Sequence, residues 1–231
     1  MFATKKPVSP GNPSKERART GRDVAARLDA NPDVQPALVG AAQAYYHLDF
    51  LDAGECDTLI RTIDSNRRPS TLLSGRSARE DYGFRTSDSC DMDRYAPEIA
   101  AIDTKIANLL GIEPEKGETM QGQRYAPGQQ FRAHHDFFHE NQNYWTEMKR
   151  TGGQRTWTAM IYLNDVEEGG ATWFPQAGLK VAPRRGLLLA WNNMAADGSP
   201  NLLTLHEGMP VVSGVKYIIT KWFREKEWKL H

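Results

Sequence analysis

Gly214-Val215-Lys216-Tyr217-Ile218-Ile219-Thr220-Lys221-Trp222 is rich in β-branched and aromatic residues and opens on a glycine, the composition of a strand that leaves a turn. Side chains alternate along an extended chain, so Lys216, Ile218, Thr220 and Trp222 share one face while Val215, Tyr217 and Ile219 share the other. If the first face looks into an apolar enclosure, the Lys216 ammonium enters with it. A buried ammonium is costly unless it meets an anion. An inward Lys216 thus calls for a carboxylate-bearing ligand, and an outward one is an ordinary surface lysine. This run alone leaves both open.

The same character extends back to Glu118. Short segments rich in Val, Ile, Thr, Trp and Tyr are separated by Pro127-Gly128, Gly152-Gly153, Gly169-Gly170, Asp197-Gly198 and Gly214. Six or more strands without an intervening helical pattern imply an antiparallel sandwich or jelly roll, with earlier helices laid against one sheet. The clearest helix opens at Asp52 with Glu55 three residues on, a capping box, and places Cys56, Leu59, Ile60 and Ile63 on one face. A second runs through Ile99, Ile102, Ile106, Leu109 and Leu110 and stops at Gly111, suited to a left-handed cap. Weaker helical signal covers Asp23 to Leu28 and Ala37 to Tyr46. Residues 1–21, with Pro7, Pro10, Pro13 and scattered basic side chains, read as a solvated, disordered tail. Residues 22–231 read as one domain with a mainly helical part (22–115) and a β core (118–226).

The composition suits a globular chain: 231 residues, 39% hydrophobic and 25% charged. No apolar run approaches the roughly 20 residues of a membrane-spanning helix. The first thirty residues lack an apolar leader, so the expected location is cytoplasmic. Lys plus Arg and Asp plus Glu are each 29, so net charge recruits neither nucleic acid nor an anionic membrane. Cys56 and Cys90 are too few for a disulfide framework and read as free thiols.

Chemistry concentrates in Phe131-Arg132-Ala133-His134-His135-Asp136. In a strand, His134 and Asp136 share a face, and with a distant histidine they can form a two-His-one-carboxylate set that leaves three positions of an octahedral iron open. The distant candidate is His206. His135 would point to the opposite face, and His139 is likewise read as a non-ligand. By itself His-x-Asp is a weak signal.

Its context resembles the iron(II) and 2-oxoglutarate-dependent dioxygenases, specifically the prolyl 4-hydroxylase family, over about Leu48 to Arg224. Tyr125 stands nine residues before His134, and His206 stands ten before Lys216. Further matches are Arg85-Thr86-Ser87, Gly152-Gly153-Gln154-Arg155, the run from Tyr162-Leu163 to Gly169-Gly170 with Thr172 and Phe174-Pro175, and Thr220-Lys221-Trp222. The resemblance implies a double-stranded β-helix (jelly-roll) core with helices packed on one sheet. It also implies Fe(II) held by His134, Asp136 and His206, and 2-oxoglutarate chelating that metal, its far carboxylate on Lys216, Tyr125 and Thr172. Dioxygen would be the oxidant and ascorbate an optional reductant. Oxidative decarboxylation to succinate and carbon dioxide would accompany hydroxylation of an unactivated carbon, foremost proline in a peptide or protein. Arg155 and Arg85 would contact substrate, Trp222 would wall the cavity, and Ser74 to Gly83 would form a closing loop. One departure is Phe131, where the family's prolyl hydroxylases commonly carry tyrosine.

Hydroxylation of a free amino acid or small metabolite is the alternative within the same chemistry. A zinc or manganese hydrolase or isomerase shares the donor set, but hydrolysis has no need of an anion anchor at the spacing of Lys216 and Tyr125. A binding module that has lost turnover ranks last, because every ligand and the lysine are present.

Overall fold

The computed structural model describes residues 10–38, 40–71 and 84–229. Ser74 to Gly83, expected to close over substrate, lies outside the described residues. Four helices occur among those described: α1 (Lys15–Asp29), α2 (Ala53–Asn66), α3 (Pro97–Leu110) and α4 (Trp145–Arg150). Fourteen strands run from β1 (Val34–Leu38) to β14 (Lys216–Arg224). Ten follow Glu118, and the strands used below are β2 (Ala44–His47), β3 (Arg68–Pro69), β4 (Asp88–Asp91), β5 (Gln121–Tyr125), β6 (Phe131–His134), β7 (Arg155–Tyr162), β9 (Thr172–Phe174), β10 (Leu179–Val181), β11 (Leu188–Asn192) and β12 (His206–Gly208).

An eight-stranded sheet in the order β1-β2-β11-β7-β14-β5-β4-β3 faces a four-stranded one in the order β10-β9-β12-β6, and every pairing is antiparallel. This is the jelly-roll architecture. Alternation divides the large sheet into two cores. Trp157, Ala159, Ile161, Ile219 and Phe223 pack outward against Leu59, Ile63, Ile102 and Ile106 of α2 and α3. Met160, Tyr162, Leu189, Trp191 and Ile218 point inward with Tyr125 and Phe174. The helices therefore brace one face of the sheet and leave the other to line the barrel. Their approach is close: a Cβ on Gly122 of β5 would meet Ile63 Cγ1 at 2.5 Å, so only glycine lets α2 seat there.

The α2 capping box is present, Asp52 Oδ1 accepting from Glu55 N at 2.8 Å and Glu55 Oε2 from Asp52 N at 2.8 Å. Gly111 caps α3 at φ 67°. Two expectations are corrected. The tail does not extend to Gly21, because α1 starts at Lys15, with Ser14 as N-cap. Arg17 there is 5% exposed and ion-pairs with Glu140 (3.2 Å) and Glu225 (3.3 Å), partners too distant in sequence to be foreseen. Ala37 to Tyr46 is not helical: β1 and β2 (Ala44–His47) form an antiparallel hairpin at the sheet edge, where Pro36 lacks the N–H a helix interior needs. No helix among the described residues is long and apolar enough to cross a membrane.

Candidate active site

β6 pairs with β12 in a register that sets His206 opposite His134, and the chain bends after β6 to bring Asp136 back to both. His134 Nε2 is 3.7 Å from Asp136 Oδ1, and His206 Nε2 is 3.9 Å from Oδ2. One donor atom from each of the three lies within 4.8 Å of the others, a span one ion can bridge. Backbone carbonyls fix both tautomers: His134 Nδ1–H donates to Arg132 O (2.8 Å) and His206 Nδ1–H to Thr204 O (2.9 Å), which leaves each Nε2 lone pair on the site. Burial, and then the charge of His206, push the His134 pKa down to about 3, so its imidazole stays neutral. Burial alone would raise Asp136; His206, His134, Arg155 and a hydrogen bond from Thr158 overcome this and hold it below the usual carboxylate range. Two imidazoles and one carboxylate fit a divalent ion. His135 instead meets Leu202 O at 3.2 Å, and neither it nor His139 belongs to the set.

Behind this set, β14 aligns with β5 so that Lys216 pairs with Tyr125. Lys216, Ile218, Thr220 and Trp222 all line the cavity that holds His134, Asp136 and His206, as period two requires. Lys216 is 1% exposed, with its Nζ 5.2 Å from the Tyr125 ring and 5.4 Å from the Tyr162 ring. No carboxylate pairs with it among the described residues. Burial pushes its pKa down to about 7. Gly170, at φ 68°, presents only hydrogen where a Cβ would sit 3.3 Å from Lys216 Cδ, so the lysine stem packs against bare backbone. Thr172 on β9 also faces the cavity. Its hydroxyl lies 2.7 Å from that of Tyr162, which also donates to Val181 O at 3.0 Å, and 3.8 Å from the Met160 sulfur.

The structure thus gathers His134, Asp136, His206, Tyr125, Thr172, Lys216 and Trp222 around one cavity. Arg155 and Arg85 do not line it; each stands behind an aromatic wall. Arg155 sits 4.1 Å from the Trp222 ring centre and 5.0 Å from that of Phe138, held bidentately by Glu118 (2.7 Å to each oxygen). Arg85 donates to Ser87, Ser89 and Gln121 and lies 4.8 Å over Phe131, whose ring stacks on His134 with centroids 3.6 Å apart. The aromatic position before the ligand histidine therefore supports the imidazole. Sequence reading missed Glu118, whose partners come from β7 and β14, as well as Thr158, Asn193 and Tyr162 in the roles they take here.

Glu118 faces a second buried arginine, Arg224, whose Nε is 2.5 Å from Oε1 although its N–H is not aligned on that oxygen. Burial would raise the Glu118 pKa, but Arg155 and Arg224 together drive it below its ordinary value. Glu118→Gln keeps the shape and leaves two guanidinium groups without an anion, so we expect a loss of roughly 3–5 kcal/mol in denaturant unfolding. Because the folded pKa lies below the unfolded one, the contribution of Glu118 is present at neutral pH and fades as pH falls through the acid range. The Gln variant should therefore show a flatter stability profile there.

A jelly-roll barrel that encloses two imidazoles, one carboxylate and a lysine paired to no carboxylate among the described residues defines the class, and the comparisons agree. The model of the 2OG-Fe(II) oxygenase superfamily matches residues 120–224. Prolyl 4-hydroxylase 1 of Arabidopsis thaliana is 33% identical over 229 residues, covering 90% of this chain and 78% of that protein. Probable prolyl 4-hydroxylase 8 of the same plant is 34% identical over 208 residues, covering 80% and 70%. Among solved structures, the viral collagen prolyl hydroxylase of Paramecium Bursaria Chlorella virus-1, in its 2OG complex, superposes with a TM-score of 0.60 at 26% identity, covering 85% of this chain and 98% of that one. The chain belongs to the 2OG-Fe(II) oxygenases and, within them, to the prolyl 4-hydroxylase family.

Proposed function

We propose that this enzyme hydroxylates proline in a peptide or protein, with His134, Asp136 and His206 holding Fe(II) and Lys216 anchoring 2-oxoglutarate. The observation that carries the reading is the Lys216 ammonium, enclosed in the same cavity as the metal-ligand set with no carboxylate paired to it among the described residues. When bound, iron(II) with 2-oxoglutarate and dioxygen supplies C–H oxidation coupled to oxidative decarboxylation. The protein's part is positional. Lys216 and the hydroxyls of Tyr125 and Thr172 offer three donors to the far carboxylate of the co-substrate. Nε2 of each histidine is presented without a proton, and the aromatic walls Phe131, Trp191 and Trp222 keep water from the reacting atoms. Arg155 and Arg85 fix Trp222 and Phe131 from behind, which makes them determinants of how substrate is seated. Ascorbate would serve as accessory reductant.

The test supplies the Fe(II)-loaded protein with 2-oxoglutarate, oxygen and a panel of proline-rich peptides and free amino acids. Mass spectrometry should show one oxygen gained on a peptidyl proline for each succinate formed. Oxygen gained only by a free amino acid would transfer the assignment to the small-molecule alternative, and no succinate with any substrate would overturn the reading.

A further inference from the structure

Asp136 is the one metal-site donor that no backbone carbonyl orients. Its orientation comes from the middle of the large sheet. Thr158, on β7 between β11 and β14, donates from Oγ1 to Asp136 Oδ2 at 2.8 Å. Asn193, just beyond β11, donates from Nδ2 to that same Oγ1 at 2.9 Å. Both side chains are 0% exposed. The Asn193 backbone is also tied down, its N–H donating to Thr156 O (2.8 Å) and its carbonyl accepting from Asn201 N (3.0 Å).

The direction of these bonds carries the argument. A hydroxyl has one proton, and the Asn193 amide, by donating to Oγ1, leaves that proton no acceptor but Asp136. A reversed amide would turn its oxygen toward the hydroxyl, compete for the proton and strip Oδ2 of its donor. In the observed orientation Asn193 Oδ1 is buried without a hydrogen-bond partner among the described residues, so the relay is kept at a local cost. Oδ2 is engaged by Thr158, and Oδ1, 3.7 Å from His134 Nε2, is left for the ion.

We propose that Thr158 is a positioning residue that fixes Asp136 as a one-oxygen ligand through Oδ1, and that Asn193 acts on the metal site only through Thr158. This rests on the metal site proposed above and adds the groups that set its affinity. Outer partners of metal ligands typically contribute about 10- to 100-fold in metal affinity. Thr158→Val, which keeps shape and removes the hydroxyl, should weaken Mn(II) binding by that factor, read from the free-ion EPR signal during titration, with little change in the unfolding temperature. Thr158→Ser should restore most of the affinity. Asn193→Ala should weaken binding in the wild-type background and add nothing to Thr158→Val, because its path runs through the missing hydroxyl.

Wild-type affinity in folded Thr158→Val, a loss in Thr158→Ser equal to that of the Val variant, or additive losses in the double variant would each overturn the proposal. If the Val variant fails to fold, Thr158→Ala supplies the hydroxyl-free arm under the same criteria. Asp136→Ala separates the two levels. Undiminished Mn(II) binding there removes the metal-site reading itself, whereas lost binding there beside wild-type affinity in the Thr158 variants removes only the relay.

Discussion

Asp136→Ala is expected to abolish Mn(II) and Fe(II) binding and to reduce turnover to below about one-hundredth of wild type, beyond what loss of an outer partner costs. The expectation follows from the donor set. Two imidazoles remain after the substitution, and neither supplies the negative charge that a divalent ion needs in a buried cavity. The fold should persist, because the packing of Trp157, Ile161, Ile219 and Phe223 on α2 and α3 lies on the other side of the large sheet from the site. His134→Ala and His206→Ala should behave alike, since each removes one Nε2 of the three-donor set. Full activity in any of the three would reject that residue as a ligand. Metal binding by dialysis, beside a circular dichroism melt, separates loss of the site from loss of the fold.

Lys216→Met should have effects of opposite sign on co-substrate binding and on stability. The variant keeps the stem that packs on Gly170 and loses the ammonium, so the dissociation constant of 2-oxoglutarate should rise by about 30-fold, the equivalent of roughly 2 kcal/mol for a charge-assisted partner in a closed site. The ligand-free protein should become more stable. In the wild type, burial lowers the Lys216 pKa from 10.5 to about 7. Between those values the unfolded chain holds a proton that the folded chain has released, so stability rises with pH across that window, and the full penalty of burial applies below about pH 7. Lys216→Met removes this penalty, so its advantage should be largest below pH 7 and gone above about pH 10.5. Co-substrate binding runs the other way: a carboxylate prefers the protonated amine, so wild-type affinity should weaken as pH rises above 7, with proton uptake on binding, while the Met variant stays flat. Calorimetry in buffers of different ionisation enthalpy reads that proton directly.

How much of this was legible in the chain depended on how far apart the interacting residues lie. The alternation of Lys216, Ile218, Thr220 and Trp222 is a local property of an extended strand, and the structure places all four on the cavity face. The capping box at Asp52 and the glycine after α3 are local too. Pairings across long separations were not legible. Arg17 is buried by Glu140 and Glu225, and no local pattern in an arginine-rich stretch signals that partnership. The alanines around Ala37 to Tyr46 favoured a helix, and pairing of Ala44 to His47 with β11 overrode that preference. Thr158 reads as an ordinary strand threonine and Asn193 as an ordinary loop asparagine until the barrel brings both beneath Asp136. Arg155 and Arg85 were expected to contact substrate because of the resemblance, and the fold sets them against Trp222 and Phe131, two aromatic residues that line the cavity.

The central claim, that one cavity holds both the metal and the anion anchor, is tested most directly by a crystal structure of the protein grown without oxygen in Mn(II) and 2-oxoglutarate. The account predicts one ion bonded at about 2 Å to Nε2 of His134, Nε2 of His206 and a single oxygen of Asp136, with the far carboxylate of 2-oxoglutarate at hydrogen-bond distance, about 2.8 Å, from Lys216 Nζ. An ion bound elsewhere, or a co-substrate whose far carboxylate leaves Lys216 without an anionic partner, would contradict it.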